Sequence, residues 1–423
     1  MSIQKDLSEL VHNGLISDEQ SDAINAFYES KKGHHSNLLT LIFGAIGAIL
    51  IGLAIILILA HNWDQFTRGT RIFIAFIPLL ISQGLCAYTL IKRSAIVLWR
   101  ETTSILLFFA VGTCIAMIAQ IYHIPDSGGI FFLTWVGLCI PVIYVMRSSM
   151  MSLLCILGIT FYNINYGYRQ NSAPEDMYYY IYLAAIIPHY VTLLRNKPET
   201  NITYIHHWVL ALSLLISTST IFHEEGKVLI LMYMCLMAFY FNIGSSLLFS
   251  RIPAWANAYK IIGQIGIVII LLISSFDSIW NEITVDFHAD TIIFSREFLL
   301  ALCFALAAIY FYFKSQKFNF LHLFDFYLVF IIFTGIFFIN GFYPDIWINL
   351  VTLALGVITI IHSINNEKLA HLNFGLLIVS LLIICRFFDT DMSYLIRGLV
   401  FAALGIGFFV ANYFMLKRLK DNE

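Results

Sequence analysis

The chain has 423 residues, 60% of them apolar, 16% aromatic and 12% charged, and 24 Lys and Arg stand against 26 Asp and Glu for a net charge of −2. Soluble domains carry about 25% charged residues, so this composition excludes a soluble globular protein, a disordered chain and a secreted disulfide scaffold. It points to an all-α, polytopic integral membrane helical bundle. In chain order, residues 1–37 come first as a small hydrophilic head. Ile3, Leu7, Leu10 and Val11 recur at helical spacing, Gly14 follows as a stop, and Ser17-x-x-Gln20 has the form of a capping box before a second stretch with Ile24 and Phe27. The pattern predicts a cytoplasmic helical hairpin too small to bury a core of its own. Its apolar stripe must rest on membrane-side loops, on a second copy or on a protein partner. Six acidic residues offset three basic ones there, so nothing points to nucleic acid.

A membrane-crossing helix needs about 20 mostly apolar residues, because every backbone polar group must be satisfied within the segment. Fourteen such runs are predicted: 38–60, 71–91, 102–122, 129–146, 150–167, 177–194, 204–222, 227–249, 257–275, 296–313, 321–339, 345–362, 367–386 and 394–415. The loops between them are short, and 276–295 is the longest. No separate catalytic domain fits. The hydrophilic head and the length of the first run argue against a cleaved signal, so the first helix serves as its own targeting signal.

Basic residues in short loops stay in the cytoplasm. With the N-terminus inside, Lys5, Lys31, Lys32, Lys92, Arg93, Arg100, Arg147, Arg195, Lys197, Arg251, Lys260, Lys314, Lys317, Lys368, Lys417, Arg418 and Lys420 fall on the inner side. Arg68, Arg71, Arg169, Lys227, Arg296, Arg386 and Arg397 fall on the outer side. Both termini are therefore expected in the cytoplasm. All seven cysteines lie within predicted spans without a Cys-x-x-Cys pair, which supports neither disulfides nor a thiolate metal site. The sequon at Asn201 sits in a predicted cytoplasmic loop and carries no weight.

Gly44, Ala48 and Gly52 lie four apart in the first span, which ends in Ala60-His61-Asn62-Trp63-Asp64. The third span ends in Ala119-Gln120-Ile121-Tyr122-His123-Ile124-Pro125-Asp126. With the Gly14-Leu15-Ile16-Ser17 turn, these segments resemble a bacterial membrane protein family, domain of unknown function 2157. The closing stretch from Arg386-Phe387-Phe388-Asp389 through Arg397-Gly398 to Asn412-Tyr413 is similar to the ends of longer members. The resemblance implies a bacterial cytoplasmic-membrane location and supplies no catalytic residues. It divides the chain into the hairpin at 1–37, a family-like transmembrane region at 38–167 and a C-terminal transmembrane region at 168–423 with a short cytoplasmic tail. Small residues four apart let a neighbouring backbone approach, so Gly44, Ala48 and Gly52 predict one tight seam and Gly398 with Ala402 another.

Ionisable groups inside a membrane are functional candidates, and this chain places few near the midplane. His61, Asn62, Trp63, Asp64, Gln120, Tyr122, His123 and Asp126 end two hairpins on the outer side. They form either interface anchors or a shared polar pocket at the water boundary. Arg386, Asp389, Asp391 and Arg397 surround one outer turn and read as an ion-pair cluster or as an anionic-substrate contact. His189, beside Pro188, and Asp325 lie toward the cytoplasmic end. Gln83, Asn242 and Gln264 lie near the midplane and read as interhelical hydrogen-bond formers or as the lining of a neutral polar substrate path. Pro78, Pro141 and Pro188 can kink their spans. His206-His207, next to Trp208, reads as interfacial. Asp286, His288 and Asp290 alternate in the long loop and read as solvated, so no metal and no cofactor is expected. No nucleotide, nucleophile-elbow or zinc-protease motif is present.

Three functions fit. A transporter or flippase of a small or lipid-linked substrate is favoured by the number of spans, the short loops and the prolines. A membrane assembly or scaffold component is favoured by the head and the small-residue seams. A membrane-embedded enzyme at the outer face requires His61, Asp64, His123 and Asp126 to converge. The first leads narrowly. The bilayer is the expected surrounding, with a protein partner or self-association through the hairpin.

Overall fold

Apolar runs that must hydrogen-bond their own backbone become helices, and the described residues of the computed structural model contain no strand. The structure describes residues 66–125, 128–167, 177–219, 229–276, 278–280, 296–314, 345–366, 369–389 and 394–421, with 7, 10–11, 13–14, 17–24, 43, 46–47 and 50 ahead of them. The helices are α1 (Arg68–Lys92), α2 (Val97–Ile121), α3 (Gly128–Met146), α4 (Ser149–Tyr162) with a π-helical extension Asn163–Gly167, α5 (Met177–Asn196) and α6 (Asn201–Thr218). They continue with α7 (Leu229–Ser245), α8 (Ala258–Ile273), α9 (Arg296–Lys314), α10 (Asp345–Asn365), α11 (Leu369–Asp389) and α12 (Tyr394–Asp421).

Eight of these are long and apolar enough to cross a membrane: α1 to α5 and α10 to α12. The apolar stretches of α7, α8 and α9 are shorter. Large apolar side chains point outward along them, as with Phe73 at 68%, Leu80 at 60% and Phe409 at 81% exposure. In water such surfaces would aggregate, and in lipid they are ordinary. The expected spans 38–60 and 321–339 lie wholly or mostly outside the described residues. α6 falls outside the eight despite its 18 residues, because His206, His207, Ser213, Ser217 and Thr218 lower its apolarity.

The chain forms two compact units, Met1–Leu154 and Cys155–Glu423. In the first, the capping box is formed: the Ser17 amide donates to Gln20 Oε1 at 3.1 Å and the Gln20 amide to Ser17 Oγ at 3.2 Å. Gly14, at φ 69°, takes the left-handed turn that ends the preceding helical stretch. α1 packs lengthwise on α2, and α2 on α3, where the Trp135 indole donates to the Phe108 carbonyl at 2.7 Å. Glu101 on α2 caps the start of α4. Its carboxylate accepts from the amides of Ser149 at 3.0 Å and Met150 at 2.9 Å and from the Ser148 hydroxyl at 2.5 Å. Ser148 Oγ accepts from the Met151 amide at 3.2 Å. These groups answer three of the amides that a helix start leaves without intrahelical partners.

In the second unit, α7 packs against α8 and α9, and α10 against α11. The α7–α8 seam needs glycine. A Cβ on Gly263 would lie 2.6 Å from the Phe241 amide nitrogen, and one on Gly244 would lie 2.5 Å from that of Lys260. Asn257 ties the same seam, because its Oδ1 caps Lys260 N at 3.1 Å while its Nδ2 donates to the Gly244 carbonyl at 2.7 Å. The Gly398–Ala402 seam expected in the last span is not formed among the described residues. Nothing there lies within 4 Å of a Cβ on Gly398, and Ala402 is exposed. Close approach is found instead where two helices run side by side over most of their length, as α7 and α8 do. The Gly44, Ala48 and Gly52 seam lies outside the described residues.

Candidate functional site

Of the residues expected at the outer face, Gln120, Tyr122 and His123 are described, and they share the last turn of α2 and its cap. The Ile124 amide donates to the Ala119 carbonyl at 3.0 Å and the His123 amide to the Gln120 carbonyl at 3.3 Å, with His123 at φ 52°. This is a Schellman stop with histidine where glycine is usual, and Pro125 follows. A left-handed non-glycine residue costs about 1 kcal/mol or more. The turn holds the Tyr122 ring outward, with the Arg68 guanidinium 4.5 Å from its centroid. His61, Asn62, Trp63, Asp64 and Asp126 lie outside the described residues.

At the second cluster expected from the sequence, Arg386 of α11 reaches the end of α8. Its Nη2 donates to the Ser275 carbonyl at 2.5 Å and lies 3.3 Å from Ser275 Oγ. Asn349 of α10 donates to the same carbonyl at 3.2 Å, and the Trp280 indole donates to the Ser274 carbonyl at 2.8 Å. A cation at a helix C-terminus meets the negative end of its dipole, so this arginine pins α8 to α10 and α11. Arg397 is half-buried, with its guanidinium 5.6 Å from the Tyr394 ring. Asp389 ends α11, but its side chain and Asp391 lie outside the described residues.

Among the described residues, an extended polar assembly lies elsewhere, on the buried face of α6. Reading His206-His207 as interfacial is corrected here: both are fully buried, at 0% exposure. They sit about 8 to 9 Å along α6 from Asn201, on faces covered by α5, α7, α8 and the 3-10 turn Leu247–Phe249. His206 Nδ1 donates to the Ile202 carbonyl at 2.7 Å. His207 Nδ1 meets the Tyr190 hydroxyl at 2.7 Å, and the Tyr259 hydroxyl is a further neighbour of Tyr190. Around His207 stand the rings of Phe249 at 5.0 Å, Tyr190 at 5.6 Å, Tyr259 at 6.1 Å and Tyr204 at 6.4 Å between centroids. Its Nε2 is buried with no hydrogen-bond partner among the described residues.

Further along α6, the Tyr240 hydroxyl donates to the Ala211 carbonyl at 2.6 Å. Beyond it a directed chain can be read from proton counting. Thr160 gives its only hydroxyl proton to the Ile156 carbonyl at 2.6 Å, so it accepts from Ser213 at 2.6 Å, and Ser213 accepts from Tyr179 at 2.7 Å. Asn163, first residue of the π-helical extension, donates to the Ser217 carbonyl at 3.1 Å. The polar groups follow one side of α6 from His206 to Ser217, about 16 Å at 1.5 Å per residue. Residues of α4, α5, α7 and α8 complete the column.

His189 and His206-His207 stand out in the sequence, but the hydroxyls of Thr160, Tyr179 and Ser213 that lie further along α6 do not. The available signal was the spacing 206, 213 and 217 on one helical face, opposite tyrosines at 179, 190, 240 and 259. The three amides expected near the midplane have different surroundings among the described residues. Gln83 is exposed, Gln264 is half-buried, and Asn242 is buried with its Nδ2 unpartnered among the described residues. Asp325 and the Asp286, His288 and Asp290 loop lie outside the described residues. Among those described, no group of three His, Cys, Asp or Glu is placed to hold a metal.

Residues 8–152 match the family described as Predicted membrane protein (DUF2157). The matched stretch includes the Gly14 turn, the Glu101 cap and the His123 stop, and the polar column lies after it. The match does not reach the closing segment from Arg386 to Tyr413. No curated protein and no solved structure matches the chain. The protein is thus a membrane protein with several membrane-spanning helices, and its N-terminal third is similar to this family.

Proposed function

We propose that the chain is a multi-pass protein of the bacterial cytoplasmic membrane that moves a small or lipid-linked substrate across the bilayer as a transporter or flippase. In this reading it has fourteen spans, both termini in the cytoplasm, a hairpin at 1–37, a family-like region at 38–167 and a transmembrane region at 168–423. The observation that supports it is the column on α6. Buried polar groups in a membrane are costly, and five helices contribute to this one over most of the length of α6. A protein that only filled lipid space would be cheaper to build with apolar side chains at these positions.

The test is the accessibility of the column's middle. Ser213→Cys and Ser217→Cys are each labelled with a membrane-impermeant thiol reagent, from outside on intact cells and from inside on inverted vesicles, against the parent chain. Transport predicts slow labelling from each side in turn. Folded variants that react from neither side refute it.

A second reading has one observation in its favour. The capping box is formed and Leu10 is 38% exposed, so the head offers an apolar contact for a partner or a second copy, as an assembly component would. Binding at the outer face through His61, Asn62, Trp63, Asp64, Gln120, Tyr122, His123 and Asp126, or at Arg386, Asp389, Asp391 and Arg397, belongs to the transport reading as the outer gate.

A further inference from the structure

We propose that His207 is a proton-binding site whose occupancy is linked to opening of the α5–α6–α8 contact. The inference rests on the transport reading and names its coupling ion as the proton. The neutral imidazole suits the present arrangement, since one nitrogen is engaged by Tyr190 and the other lies in a ring-lined cage. Protonation forms one N–H bond at the expense of a hydronium O–H bond and leaves a water. Both nitrogens then become donors.

The second donor has no acceptor in the cage, because Phe249, Tyr204 and Tyr259 present rings there. Burying an unpaired charge is costly, and the cost disappears if the cage opens and Nε2–H reaches water. Proton binding and opening therefore favour one another, and reciprocity follows from linkage. Opening here has a defined meaning, separation of Tyr190 on α5 and Tyr259 on α8 from His207 on α6.

The titratable groups around His207 are His189 and Tyr190 on α5, Tyr204 and His206 on α6, Tyr240 on α7, and Tyr259 on α8 with Lys260 beside it. None is a carboxylate, so no described neighbour offers the imidazolium an ion pair in the closed form. His206 differs from His207 in having its Nδ1 committed to its own helix, at the Ile202 carbonyl. It serves as the control.

The experiment is hydrogen–deuterium exchange on the full chain in lipid nanodiscs at pH 8 and pH 5.5, corrected for the intrinsic pH dependence of exchange. Protection of residues 203–211 is expected to fall about tenfold or more at the lower pH in the wild type, within what one linked proton supplies over that interval. H206Q should keep the pH step, and H207Q should lose it. Equal protection at both pH values in the wild type overturns the proposal, as does a step that survives in H207Q.

If H207Q does not fold, Y190F decides. It keeps the imidazole and should lower protection already at pH 8; wild-type protection in Y190F at both pH values overturns the proposal. Failure here is separable from failure of transport. An absent pH step with Ser213→Cys labelled from each side leaves transport standing with another coupling ion. A present step with no labelling leaves the proton site standing without transport.

Discussion

Replacing Glu101 by alanine tests how the first unit is held. The carboxylate satisfies the amides of Ser149 and Met150 and the hydroxyl of Ser148, and Ser148, Met151 and Ser149 are 0%, 0% and 6% exposed. A hydrogen bond to a charged group contributes about 1.5–3 kcal/mol, and a helix N-cap about 0.5–2 kcal/mol. The bonds share one carboxylate and are not additive, and Ser148 can still cap Met151. The loss is therefore about 3 kcal/mol rather than the sum. For a unit of roughly 150 residues this corresponds to a fall of about 6–12 °C in melting temperature.

Glu101→Gln keeps one acceptor but turns an NH2 group toward the amides, so it should lose about half as much. The assay is size-exclusion monodispersity of the detergent-solubilised full chain after heating at a fixed rate, read for wild type, both variants, Ser148→Ala and the Glu101→Ala/Ser148→Ala double. The double variant should melt below Glu101→Ala alone, because it also loses the Ser148 cap on the Met151 amide. If Glu101→Ala and Glu101→Gln both melt within about 1 °C of wild type, the cap does not hold α4 to α2 and the reasoning fails.

Gly263→Ala puts a methyl against the Phe241 backbone of α7, which cannot yield as a flexible side chain would. We expect a loss of about 2 kcal/mol or more, seen as a lower melting temperature in the same assay, whereas Gly69→Ala, with open space around it, should be neutral. Arg386→Lys, which keeps the charge but not the planar fork, should destabilise less than Arg386→Ala; equal melting of the two variants would mean that charge at the α8 terminus is immaterial. Replacing Asp64 and His123 together by alanine should abolish outer-face binding or transport while leaving folded protein in the membrane, and normal function in the double variant would remove that face from consideration.

How much was legible in the sequence depended on whether a feature was local. The capping box at Ser17 and Gln20, the stop at Gly14 and the end of α2 at His123 are set by neighbours within a few residues, and the geometry follows the motif. Apolar runs of about 20 residues likewise marked α1 to α5 and α10 to α12, because the bilayer imposes a length. The partners of Glu101, Arg386 and His207 were not legible. They lie 47, 111 and 17 residues away in the chain, at Ser148, Ser275 and Tyr190, and only packing brings them together. The seam at Gly244 and Gly263 was missed for the same reason. Its glycines sit one on each helix, so neither shows the four-residue spacing that drew attention to Gly398 and Ala402. At the column, the hydroxyls of Thr160, Tyr179 and Ser213 each look unremarkable in an apolar helix, and their meaning appears only when three helices meet.

The account stands on α6 crossing the bilayer with its polar face turned inward, although its composition is less apolar than that of the eight clearest spans. Single cysteines at Glu199 and His223, on either side of α6, test this most directly when labelled with an impermeant reagent on intact cells and on inverted vesicles. The account predicts that Glu199→Cys reacts only in inverted vesicles and His223→Cys only on intact cells. Labelling of both positions from one side would contradict it.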